Sequence, residues 1–126
     1  MYLLDSCVFL EILLEQNKSQ VVKDFLNNCS KNDISITNFS LHSICAYLTK
    51  NKKTEILKDF ILELRNNNTK IFQTSLEETD LILSNCKRFS LDFDDAYQYT
   101  IAKIYGLQLV SFDKDFDKTD LKRIEP

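Results

Sequence analysis

The chain has 126 residues, 44% hydrophobic and 28% charged, with a formal net charge of −3. That size and mix suit one globular domain with its own core, and they exclude a disordered chain. No run approaches the roughly 20 apolar residues that a membrane-spanning helix needs, and an acidic balance argues against a general nucleic-acid coat protein.

Met1-Tyr2-Leu3-Leu4-Asp5 reads as a short buried strand that starts at once, without the basic flank and long apolar segment of a secretory signal. Val8, Phe9, Ile12 and Leu13 recur at helical spacing, as do Val21, Val22, Phe25, Leu26 and Cys29, predicting two helices that meet around residues 16–19. Ile34-Ser35-Ile36 is the second expected strand. Leu41, Ile44, Cys45 and Leu48 give a third helical stripe, and Ile56, Leu57, Phe60, Ile61 and Leu64 a fourth. After the Asn66-Asn67-Asn68 loop, residues 70–73 predict a third strand. Ser75 and Glu78 form a capping box that opens a helix to about Phe89. Asp92 opens another, with Phe93, Ala96, Tyr97, Thr100, Ile101 and Ile104 along one face and Gly106 at its C-cap. Residues 107–112 predict a fourth strand, and Leu121 to Ile124 a fifth. Strands separated by long helical segments predict a single three-layer α/β/α domain over residues 1–126, with a central parallel sheet of four to five strands.

Several carboxylates stand where an apolar run ends or a helix begins. Asp5 and Asp113 each follow a predicted strand, and Asp95 sits in the first turn of a helix after Asp92 and Asp94. In an open parallel sheet, the carboxyl ends of the strands share one edge, and ligands bind there. Acids converging at that edge repel one another unless a cation sits among them. Oxygen ligands select Mg²⁺ or Mn²⁺ over zinc, which points to phosphodiester chemistry. Each feature also has a plainer reading. Asp92 and Asp95 have the spacing of a helix cap, as Ser75 and Glu78 do with no chemistry attached, and residues 113–117 also read as a solvated turn. It is the conjunction with Asp5, a lone acid directly after a buried strand, that points to a site.

Other chemistries find little support. One glycine in the whole chain leaves no G-x-G-x-x-G and no G-x-x-x-x-G-K, so the two commonest phosphate-cradling loops are absent. Cys7, Cys29, Cys45 and Cys86 form no C-x-x-C pair and His42 is the only histidine, which argues against zinc. Spaced thiols in apolar stripes fit a reduced, cytoplasmic protein.

Tyr2-Leu3-Leu4-Asp5-Ser6-Cys7-Val8-Phe9, Asp94-Asp95-Ala96 through Ala102, Tyr105-Gly106-Leu107 and Leu109-Val110-Ser111-Phe112-Asp113-Lys114-Asp115-Phe116 resemble, in order and spacing, the PIN-domain ribonucleases, including the VapC-like toxins of toxin–antitoxin pairs. The first segment is similar to the family's opening L-L-D-T/S-x-V, and the last to its L-V-T/S-x-D-x-D-F. The resemblance implies metal-dependent endonucleolytic cleavage of RNA. It matches Asp5, Asp95 and Asp113 to the family's acids, the first two holding Mg²⁺ or Mn²⁺ and Asp113 positioning a second ion or the attacking water. Ser6 and Ser111 would support them through their hydroxyls. It further implies a small antitoxin that lays an apolar helix between the early helices, and a homodimer.

One position departs from the pattern. The family carries a glutamate on the helix after the second strand, in a context like S-x-x-T-x-x-E, and residues 34–43 contain no acid. His42 lies nearest, as an ion ligand or a general acid or base, or merely as a flank of the Leu41, Ile44, Cys45 stripe. The departure opens an alternative: a catalytically impaired module of the same fold that binds RNA or protein. Lys50, Lys52, Lys53, Lys87, Arg88, Lys114 and Lys118 are candidates for phosphate contact or plain solvated charge, and Tyr97 and Tyr99 for base stacking or packing. A receiver-type phosphoacceptor domain needs an acid where Gln73 ends the third strand, and a dehalogenase-type phosphatase needs one at Cys7, so both fit poorly.

Overall fold

Four short strands, β1 (Tyr2–Leu4), β2 (Ile34–Thr37), β3 (Lys70–Phe72) and β4 (Gln108–Val110), build one parallel sheet in the computed structural model, which describes residues 1–126. Their order is β3-β2-β1-β4. β1 is central to the pairing, with Leu3 opposite Ser35 on one side and Leu109 on the other. Six helices cover the sheet: α1 (Ser6–Leu13), α2 (Ser19–Asn27), α3 (Asn38–Lys50), α4 (Thr54–Asn66), α5 (Thr79–Phe89) and α6 (Phe93–Tyr105). This is the expected three-layer α/β/α architecture with a parallel sheet.

Successive strand side chains point to opposite faces, and the core divides accordingly. Leu3 and Leu109 join Ile82 of α5 and Ala96, Ile101 and Ala102 of α6 in one cluster. Leu4, Ile36 and Val110 join Val8, Phe9, Val22, Ile44, Leu48 and Phe60 from α1 to α4 in the other. The near-continuous apolar run of β1 follows from burial on both faces.

Some element ends differ from expectation for identifiable reasons. β4 stops at Val110 because the Ser111 hydroxyl accepts a hydrogen bond from Asp113 N (2.9 Å), which turns the chain out of the sheet. The fifth strand is reduced to one parallel bridge, Val110 to Ile124. Leu121 N is drawn to Thr119 Oγ1 (3.1 Å) instead of a ladder partner. Glu78 does accept from Ser75 N (2.8 Å), as a capping box requires. The turns at Glu78 and Thr79 are nonetheless i to i+3, and the α-helix begins at Thr79. Gly106 closes α6 at φ +64°, the left-handed conformation expected at that C-cap.

Candidate metal centre

The chain steps outward from β1 through β2 to β3, then returns to place β4 on the other side of β1. Connections leaving the carboxyl ends of β1 and β4 diverge, which opens a crevice at that switch point. Asp5 enters it from β1 and residues 111–113 enter it from β4.

Asp5 is 8% exposed and unusually well held. Its Oδ1 accepts from Ser6 N (2.7 Å), as the N-cap of α1, and its Oδ2 accepts from Ser111 Oγ (2.7 Å). The Cys7 thiol donates to the same Oδ2 at 3.4 Å. Burial raises the Asp5 pKa most; the bonds from Ser111, Cys7 and Ser6 oppose that, and the Asp113 charge adds to it. Cys7 is itself pushed up to about 11 by burial and by Asp5, so at neutral pH it is a thiol and not a thiolate ligand.

Asp95 sits on a helix buried on nearly every side: residues 95–102 of α6 are all buried. Its carboxyl is pushed up to about 7, first by burial and then by Asp94, Asp113, Asp5 and Asp115, all of which raise it. Asp92 precedes α6 in extended backbone, yet its side chain makes no capping hydrogen bond. The plainer capping reading of Asp92 therefore has no bond behind it.

Asp113 caps a 3₁₀ turn over Lys114–Lys118, accepting from Asp115 N (2.8 Å). The turn is anchored by Phe116, which is fully buried. Of the remaining acids in this run, Asp117 turns away and pairs with Arg123 (2.9 Å), while Asp115 pairs with Lys118 (3.4 Å).

Carboxylate oxygens from Asp95, Asp113 and Asp115 lie within 4.8 Å of one another, and so do oxygens from Asp92, Asp94 and Asp95. Asp95 belongs to both groups. A cavity of about 20 Å³ adjoins them, lined by Asp5, Asp94, Asp95, Ser6, Phe39, Ser40, Ser43 and Gln98. The donor set fits a hard divalent ion: it is oxygen-rich and anionic, and Asp95, raised first by burial and then by its acidic neighbours, carries a charge that a cation would stabilise.

His42 is exposed on α3 and does not line that cavity. Ser40 and Ser43 of the same helix do, with Ser40 buried. Sequence reading passed over Ser40, Ser43 and Gln98. A signal for Ser40 was present: Thr37 caps α3 by accepting from Ser40 N (3.0 Å), so the T-x-x-E pattern laid on Thr37 falls on Ser40. Gln98 stands one turn after Asp95 and so shares its helix face.

The basic residues named above are all exposed. Tyr97 and Tyr99 are buried and pack: Thr74 N donates to the Tyr97 hydroxyl (2.9 Å), and the Tyr99 hydroxyl donates to Asp120 (2.6 Å). The exposed rings beside the cavity are Phe39 and Phe93, whose centroids lie 6.0 Å apart.

An acid-lined crevice at the switch point of a parallel sheet defines a class of α/β/α protein with an acidic edge that could hold a cation. Residues 2–122 match the PIN domain, and the chain belongs to that family. No curated protein gave a sequence match. Among solved structures, VapC20 of Mycobacterium tuberculosis, a sarcin–ricin loop cleaving toxin, superposes with a TM-score of 0.84 at 12% identity, over 100% of both chains. FitAcB of Neisseria gonorrhoeae gives 0.76 at 22% identity, over 99% of this chain and 97% of that one. VapBC2 of Rickettsia felis, bound to a promoter DNA fragment, gives 0.70 at 15% identity over 98% of each. At such identities the likeness is one of fold. No helix is long and apolar enough to cross a membrane.

Proposed function

We propose that the chain is a divalent-metal-dependent endoribonuclease, a hydrolase of phosphodiester bonds in RNA and the toxin of a toxin–antitoxin pair. The observation that supports this reading is that Asp95 both clusters with Asp113 and Asp115 and shares a small cavity with Asp5, at the switch-point crevice of a PIN-family fold. Asp5 and Asp95 would hold Mg²⁺ or Mn²⁺. The fixed hydrogen bonds from Ser6 N and Ser111 Oγ keep Asp5 in one orientation, so little reorganisation is left to the moment of reaction. Asp113, held by its own turn, would orient the attacking water or a second ion. A bound ion of this kind lowers the pKa of water and offsets charge on phosphate oxygens. Phe39 and Phe93 offer stacking surface for an unpaired base, and Lys114 a phosphate contact. His42 enters as an exposed imidazole available to RNA rather than to the ion.

VapC20 is a sarcin–ricin loop cleaving toxin, and by analogy we take structured RNA as the substrate class here. The antitoxin would lay an apolar helix in the groove of about 440 Å³ between α1, α2 and α4, which Phe9, Ile12, Leu13, Leu26, Phe60 and Leu64 line. A homodimer and a reduced cytoplasmic setting, in keeping with four unpaired cysteines, complete the reading.

Cleavage of a structured RNA by wild-type protein and Asp5→Asn, with Mg²⁺, Mn²⁺ or chelator, tests it. Cutting that needs metal and disappears in the variant is the expected result. Folded wild-type protein that cuts nothing with either ion would instead favour a catalytically impaired RNA- or protein-binding module. The observation behind that second reading is the serine pair that lines the cavity from α3 where an acid was expected.

A further inference from the structure

The neutral buried side chains Asn85 and Thr100, on and against α6, find partners within the fold: Asn85 Nδ2 donates to Thr100 Oγ1 (2.9 Å), which donates to Ala96 O (2.7 Å). Gln98 is the exception. It is 3% exposed, lines the small cavity with Asp5, Asp94 and Asp95, and donates through Nε2 to Ser40 Oγ and to Asp5 Oδ1 (3.4 Å). In this orientation the nitrogen, not the oxygen, faces the Asp5 carboxylate, which avoids setting oxygen against oxygen. Oε1 is thereby left as the one buried side-chain nitrogen or oxygen in the protein with no hydrogen-bond partner.

An orphaned buried acceptor is costly, and such atoms in a folded protein call for a reason. The cavity beside it is large enough for one water or one small ion and no more. We infer that Gln98 is a neutral oxygen ligand of the ion site, contributed from α6 in place of the glutamate expected on α3, with Ser40 holding its amide in position. The inference rests on the metal-nuclease reading above and adds a residue to it. Exchanging a charged ligand for an amide keeps an oxygen donor but leaves the cage one negative charge short, which lowers affinity for the ion without changing its class.

Mn²⁺ titration calorimetry on the full chain tests this, with chelator-treated melts as a control for folding. Gln98→Leu removes the oxygen and is expected to weaken Mn²⁺ binding about tenfold or more. Gln98→Glu keeps the shape, adds a charge, and is expected to tighten it by a similar factor. A packing role alone does not produce opposite signs. If Gln98→Leu fails to fold, Ser40→Ala, which frees the amide, takes its place with an expected severalfold loss. Equal Mn²⁺ affinity in wild type and both Gln98 variants, with binding lost in Asp5→Asn, overturns this inference and leaves the nuclease reading standing. Wild-type protein that binds no Mn²⁺ overturns the metal site itself, and this inference with it.

Discussion

Asp95→Asn should make the metal-free protein more stable while removing its chemistry. The wild-type carboxyl is raised from 3.8 to about 7 by burial and by four neighbouring acids. Between those values the folded state keeps a proton that the unfolded chain has released. This group therefore costs nothing at low pH and destabilises the fold as pH rises through about 7. A shift of about three units corresponds to about 4 kcal/mol, which screening by solvent and salt reduces to about 2 kcal/mol. For a chain of this length that amounts to a rise in melting midpoint on the order of 6–10 °C at about pH 8. Thermal melts in chelator across about pH 4 to pH 8 measure it. Wild type should lose midpoint as pH rises; Asp95→Asn should lose much less. A residual slope of the same sign remains, since Asp5 is also raised. Added Mn²⁺ should restore wild type at high pH and do little for the variant. An Asp95→Asn protein no more stable than wild type in chelator at about pH 8 would refute the reasoning, because the repulsion would then be absent or already compensated.

Three further outcomes follow from the same geometry. Ser111→Ala leaves Asp5 Oδ2 and Asp113 N without their shared partner, so urea unfolding should show a loss of about 1–3 kcal/mol, with cleavage impaired alongside. Phe116→Ala empties the fully buried anchor of the turn that carries Asp113 and Asp115, at about 3–5 kcal/mol by the same assay. His42→Ala should leave Mn²⁺ affinity unchanged, because the imidazole does not line the cavity; a role in proton transfer would show as a fall in RNA cleavage of about a hundredfold.

Helix placement was legible because each amphipathic stripe states its own period. Val8 and Phe9, or Ile44 and Leu48, bury the face their spacing predicts. Asp5 was legible because a charge directly after a doubly buried strand has few structural uses. Strand ends were less so: whether residues 111–113 continue β4 depends on a serine hydroxyl competing for a backbone donor, and Leu121 to Ile124 fails as a strand for the same kind of reason.

The linear sequence thus determined the fold class and named three acids, since periodicity and strand-end charge are local properties. Tertiary structure alone decided their company. Strand order brings β4 beside β1, so Asp5 meets Ser111 across 106 positions of chain and Gln98 across 93. It also sorts near-identical acids: Asp95 turns into the crevice and rises to about 7, while Asp117 turns out to Arg123. A side chain's protonation and partners depend on burial and on charges remote in sequence, and neither is written at its own position.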